Sequence, residues 1–103
     1  MFVSGGSRLT NENYQKIQHA FGIELLHGYG LTEFTPVSRN IRKQAKAGTI
    51  GPFCDGIEYK ISSADSNGHG EIFIKNPHMT TSYYRRDKET RDTFADNWFK
   101  TGD

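Results

Sequence analysis

The sequence predicts an α+β fold: an N-terminal strand–helix–strand piece of a parallel sheet, followed by an antiparallel β-hairpin segment. Three observations predict it. Tyr14, Ile17 and Phe21 recur at helical spacing between two short β-prone runs. Ile57, Tyr59 and Ile61 alternate with Glu58, Lys60 and Ser62, the period-two pattern of a half-buried strand. A turn-forming stretch, Asp65-Ser66-Asn67-Gly68, then leads to the apolar return run Glu71-Ile72-Phe73-Ile74-Lys75.

Taken in order, Phe2-Val3-Ser4 is a short strand that stops at Gly5-Gly6-Ser7. Thr10 or Asn11 can cap a helix, with Glu12 in its favourable first turn. Gly22 fits the position just past the helix end. Residues 23–27 form the next strand, and in such a unit the two strands are parallel with a right-handed crossover. Both strands end in glycines, at Gly5-Gly6 and at Gly28-Tyr29-Gly30, so two glycine turns are expected to converge on one crevice at the same sheet edge. Residues 34–48 show no periodicity and read as an exposed loop carrying Arg39, Arg42, Lys43 and Lys46. Thr49-Ile50-Gly51-Pro52-Phe53 reads as a short strand broken by Gly and Pro. Asn76-Pro77 ends the hairpin, residues 79–84 are irregular, and residues 87–94 can form a short helix capped by Asp87. The chain therefore divides into a strand–helix–strand part, residues 1–34, and an antiparallel β part with a short helix, residues 48–103.

Composition sets limits. The 103 residues leave room for one small domain at most. Only 34% are apolar and the mean hydropathy is −0.72, lean for a self-sufficient core, yet 13% aromatic residues argue against disorder. A net charge of +1 gives no push toward nucleic acid or acidic membranes. The basic cluster has no interleaved aromatics on which bases could stack, so no nucleic-acid partner is expected. No apolar run approaches a membrane span, and no signal-peptide pattern opens the chain. The single Cys54 excludes an internal disulfide and suits a reducing, cytoplasmic setting.

The stretch that carries chemistry is Gly28-Tyr29-Gly30-Leu31-Thr32-Glu33. The glycines permit a sharp turn and let a ligand approach the backbone. Tyr29 offers a flat face for ring stacking. Thr32 and Glu33 are expected to open whatever follows, where unpaired backbone N–H groups can hold an anion. Other candidates are weaker. Residues 65–71 superficially resemble a calcium loop but lack its third oxygen ligand and distal glutamate, so a hairpin turn is expected. His19, His27, His69 and His78 are spread out, and none pairs with Cys54 at zinc spacing. His27 precedes the glycine turn and could line a pocket. Neither Ser4 nor Ser7 has a context that names a base.

Together these motifs resemble the adenylate-forming superfamily: acyl-CoA synthetases, luciferases and the adenylation domains of peptide synthetases. Ser4-Gly5-Gly6-Ser7 resembles the glycine loop along the adenine, and Gly28-Tyr29-Gly30-Leu31-Thr32-Glu33 the Y-G-x-T-E core. Ala47-Gly48-Thr49-Ile50-Gly51-Pro52 with Gly56-Ile57-Glu58 resembles the G-[ST]-[VI]-G-x-P … G-x-E segment. Gly70-Glu71-Ile72-Phe73-Ile74 with Tyr83-Tyr84 resembles the G-E-[IL]-x-[IV] … G-Y-Y block, with Ser82 where glycine is usual. Trp98-Phe99-Lys100-Thr101-Gly102-Asp103 resembles the W-[FL]-x-T-G-D block. The blocks follow the family's order and span nearly the whole chain.

The resemblance implies roles. Gly5, Gly6 and Ser7 would border the adenine, Tyr29 would stack on it, Thr32 would contact the α-phosphate, Glu33 would hold Mg²⁺, and Asp103 would bind the ribose hydroxyls. The acyl pocket would lie near Gly28 and Gly30. The implied reaction joins a carboxylate, perhaps best a fatty acid, to ATP as an acyl-adenylate and passes the acyl group to CoA. An amino-acid-activating domain and a non-catalytic interaction module of the same fold are the alternatives. The resemblance also implies that the antiparallel part belongs to a distorted barrel. The family's phosphate loop and its small lysine-bearing domain have no counterpart here, so the chain reads as a piece of a larger AMP-binding domain, inactive by itself. Exposed edges would then favour self-association or domain swapping.

Overall fold

The computed structural model describes residues 2–103, which form two compact units, Met1–Asp55 and Gly56–Asp103. In the first unit, β1 (Phe2–Ser4), α1 (Asn11–Phe21), β2 (Leu25–Tyr29) and β3 (Ser38–Arg39) follow in chain order. β1 and β2 are parallel, with Phe2 opposite Leu25 and Ser4 opposite His27. α1 is the crossover. The Thr10 hydroxyl accepts from Asn13 N at 3.2 Å, and Gly22 closes the helix at φ 60°, donating its N–H to Gln18 O. Both ends therefore satisfy helix groups that would otherwise face water unpaired. Tyr14 is buried and Phe21 meets Phe2 edge to face at 5.3 Å, so this helix stripe and that side of the sheet pack together. Leu25 and Val37 complete the buried apolar set of the unit.

Three expectations for this unit are corrected. The second strand spans Leu25–Tyr29 rather than residues 23–27, and it runs through Gly28. The cause is a partner strand with no sequence signal: β3 pairs antiparallel to β2, with Gly28 opposite Arg39 and Tyr29 opposite Ser38. Residues 34–48 are therefore not simply an exposed loop, because Val37, Ser38 and Asn40 are buried. Of the strand expected at residues 49–53, only Phe53 makes a bridge, to Ser38. The rest runs as irregular chain whose carbonyls serve β3: Ile50 O accepts from Ser38 Oγ and Pro52 O from Arg39 N.

In the second unit, β4 (Glu58–Ser62), β5 (Glu71–Lys75), α2 (Asp87–Thr93), β6 (Phe94–Ala95) and β7 (Trp98–Lys100) build an antiparallel sheet in the order β4-β5-β7-β6 with one short helix. The expected hairpin is present, with Glu58 opposite Lys75 and Ser62 opposite Glu71. Its turn is organised by Asp65, whose Oδ1 accepts from Asn67 N and His69 N at 2.8 and 2.9 Å. That carboxylate serves the backbone, as a hairpin turn requires. Ile74 and Phe99 face each other across β5 and β7 and are the buried apolar pair of this unit. Phe94 lies 5.1 Å from Phe99, ring to ring. Two details differ from expectation. Asp87 is the first helical residue and Arg86 stands at the cap position without a capping bond. Tyr59 and Ile61 are 55% and 43% exposed rather than half-buried, since nothing covers their face of β4.

Candidate functional site

A cavity of about 860 Å³ lies at the carboxyl ends of β1 and β2. This is where parallel strands leave a crevice for ligands, and the volume suits a nucleotide-sized molecule. Gly5, Gly6, Gly28, Tyr29, Gly30 and Thr32 all line it. The two glycine segments thus converge as the strand–helix–strand reading requires. A Cβ placed on Gly5 would sit 3.6 Å from the Gly28 carbonyl, so the segments touch through bare backbone.

Gly28 and Gly30 earn their identity by close approach. A Cβ at Gly28 would stand 3.0 Å from Ser38 O, and one at Gly30 would stand 2.5 Å from Thr35 Oγ1. Gly28 is not in a turn, as expected from sequence, but within β2, where β3 crosses tightly over it. After Tyr29 the chain makes a compact loop. Tyr29 O accepts from Val37 N at 2.9 Å, and Phe34 O accepts from Leu31 N at 2.9 Å. Thr32 and Glu33 lie inside that loop, on bends, and no helix starts there. The expectation of a helix N-terminus for holding an anion is thereby corrected. Thr32 is exposed and Glu33 half-buried.

Ser7 and Glu33 stand outside the cavity lining, each one position beyond a residue that lines it. Asp103 belongs to the second unit. It is exposed, its backbone N–H donates to Thr101 Oγ1 at 3.1 Å, and its O accepts from Ile72 N at 3.0 Å. Thr101 Oγ1 donates to Ile72 O at 2.7 Å, and Gly102 N donates to Glu71 Oε1 at 3.0 Å. Two blocks separated by some thirty residues in sequence, Gly70-Glu71-Ile72 and Thr101-Gly102-Asp103, are thus laced together by hydrogen bonds.

Sequence reasoning missed several residues. His27 was a candidate, and it does line the cavity while only 8% exposed. Asn40 was not. Its Nδ2 donates to His27 O at 3.1 Å and to Thr49 O at 2.9 Å, and its Oδ1 accepts from Lys46 N at 3.3 Å. It fastens the irregular chain after β3 to the strand that carries the site. Arg39 and Arg42, read from sequence as solvated loop, also line the cavity. Only the pairing of β3 with β2 brings them there.

Among the described residues, no group of three or more His, Cys, Asp or Glu side chains could hold a metal ion by itself. A lone carboxylate such as Glu33 still fits Mg²⁺, which commonly takes one or two protein oxygens and fills its remaining positions with water and phosphate oxygens.

Comparison with known proteins agrees with this geometry. The AMP-binding enzyme family model matches residues 1–84. The chain is 36% identical over 107 residues to the malonate–CoA ligase of Arabidopsis thaliana, covering all of this chain and 18% of that protein. It is 34% identical over 109 residues to the long-chain-fatty-acid–CoA ligase of Bacillus subtilis, covering 98% of this chain and 20% of the relative. The anthranilate CoA ligase AuaEII, solved with anthranoyl-AMP, superposes with a TM-score of 0.86 at 26% identity, over 98% of this chain and 21% of that one. The chain spans about a fifth of the length of the relatives it matches. With a family match over most of its residues and a converging glycine crevice at the expected strand ends, the chain belongs to the AMP-binding enzyme family.

Proposed function

We propose that this chain forms part of an ATP-dependent acid–CoA ligase of the AMP-forming kind. The observation that carries the reading is the crevice itself: Gly5-Gly6 and Gly28 to Gly30, far apart in sequence, enclose one cavity with Tyr29 and Thr32 on its wall. The names of the relatives support CoA ligation over amino-acid activation. In the proposed reaction a carboxylate oxygen attacks the α-phosphorus of ATP, the bond to pyrophosphate breaks, and an acyl-adenylate forms. A thiolate of CoA then attacks the acyl carbonyl and AMP leaves.

In this reading the glycine backbone of β1's end borders the adenine, with Ser7 beside it, and the Tyr29 ring stacks on the base. The Thr32 hydroxyl donates to an α-phosphate oxygen, a fixed donor that needs no reorganisation as charge develops. Glu33 holds Mg²⁺, which when bound would neutralise phosphate charge. Asp103 accepts from the ribose hydroxyls. The acid is one with an apolar body, a fatty acid in the simplest case. The long-chain relative and the apolar side chains of Val3, Leu26 and Ile41 on the cavity wall support that. A cytoplasmic setting is proposed on the strength of the unpaired Cys54 thiol. No helix among the described residues is long and apolar enough to cross a membrane.

Isothermal titration of the chain with AMP tests the reading. Saturable binding is expected, weakened about tenfold by Tyr29→Ala through lost stacking and retained by Tyr29→Phe. No saturable AMP binding at millimolar ligand, or equal affinity in the alanine variant, would sink it.

A further inference from the structure

The cavity has one wall that adenine and phosphate do not explain. Strand register places Val3, Leu26, Gly28 and Arg39 on the same face of the first sheet, because Val3 is opposite Leu26 and Gly28 is opposite Arg39. Val3 is 68% and Ile41 48% exposed, so this face is apolar and uncovered by the described residues. Arg39 rises from it beside a residue with no side chain: its Cβ would lie 3.7 Å from a Cβ at Gly28. Arg42 follows just after, at the turn closed by Gln44 N on Ile41 O. Among the described residues neither guanidinium has a carboxylate within ion-pair distance. Four pairs do form elsewhere, so carboxylates are not scarce; this wall has none.

Resting on the acid–CoA ligase reading, we propose that the acid accepted here carries a second anionic group at the far end of its apolar body, a distal carboxylate recognised by Arg39 with Arg42 beside it. The apolar strip of Val3, Leu26 and Ile41 matches a hydrocarbon chain. The planar fork of an arginine matches a carboxylate by two parallel hydrogen bonds, where a lysine offers only a point charge. Gly28 keeps the space beside the Arg39 stem open. Arg39 is thus a specificity residue, setting which acid is accepted rather than taking part in the chemistry. A phosphate would satisfy the same fork, and the test separates the two.

The ¹⁵N-labelled chain is titrated with hexanoate, adipate, adenosine and AMP, following the amide signals of Gly28 and Arg39. Adipate is expected to bind about fivefold more tightly than hexanoate, the scale of one partly exposed charge pair. Arg39→Gln is expected to abolish that preference and Arg39→Lys to recover part of it. Equal affinity for the two acids, absence of acid binding, or a preference that survives in R39Q overturns the proposal. So does an R39Q variant that loses affinity for AMP but not for adenosine, since the guanidinium would then serve a phosphate. AMP binding in the same samples reports separately on the ligase reading: binding of AMP with no acid preference defeats the distal carboxylate alone.

Discussion

Asn40 uses both amide hydrogens and its oxygen within the first unit, and the groups it serves lie on three different segments. Asn40→Ala leaves Thr49 O and Lys46 N without these partners and is expected to cost about 1–3 kcal/mol in urea unfolding. Asn40→Asp is expected to cost more, since an oxygen would then face the carbonyls of His27 and Thr49. Stability within about 0.5 kcal/mol of the parent in both variants would show the network to be incidental. Gly30 makes the complementary case. Gly30→Ala drives a methyl against Thr35 Oγ1 and is expected to destabilise by about 1–3 kcal/mol, the usual scale of overpacking. Thr35→Ala in the same chain removes the oxygen and is expected to restore part of the loss, a coupling that a double-mutant cycle measures directly. Neither residue's role could be read locally. Asn40 stands in a stretch without periodicity, and the Gly30 contact depends on a loop that folds back five residues later.

The two helices illustrate what local sequence does and does not fix. α1 carries its cap in the sequence, and Thr10→Ala is expected to cost about 1 kcal/mol. In α2 the acid stands one position too late to cap, so Asp87→Ala is expected to cost no more than about 0.5 kcal/mol through the helix dipole. Glu89 of α2 is held below the usual carboxylate value of 4.5, first by its own backbone N–H and then by the Arg86 side chain. A depressed folded value means the contribution is present above pH 4.5 and is lost as pH falls through the lower folded value. Titration followed by the Glu89 side-chain carbon signal is expected to give a midpoint below 4.5, moving back toward it in Arg86→Ala. The strands were legible wherever a period-two or apolar run existed, as in β4 and β5. β3 was not, because two residues have no period, and it exists only through bonds to β2 and to the chain around residues 50–54.

On the scale of the molecule, each unit buries few apolar side chains: Tyr14, Leu25 and Val37 in one, Ile74 and Phe99 in the other. Large apolar residues remain in water, among them Val3, Phe21 and Ile61. Exposed apolar sheet faces favour association. Sedimentation velocity is expected to show concentration-dependent self-association, reduced by Ile61→Lys. A chain that stays monomeric at high concentration, or one unaffected by that charge, would place the association surface elsewhere or remove the need for one.

By itself the sequence determined the local elements and the order of the family's blocks. Thr10, Gly22, the Tyr14 stripe and the Asp65 turn act over four residues or fewer, so their signals survive in the linear chain. It also determined that two glycine segments end neighbouring parallel strands, and hence that they share a crevice. Only the tertiary structure decided that Gly28 lies within a strand under β3, that Asn40 ties that strand to distant chain, and that Arg39 and Arg42 reach the cavity. Those outcomes depend on partners ten or more residues away. Backbone pairing between such partners is set by which groups remain unsatisfied once the local elements have formed, and that leaves no periodic trace in the sequence.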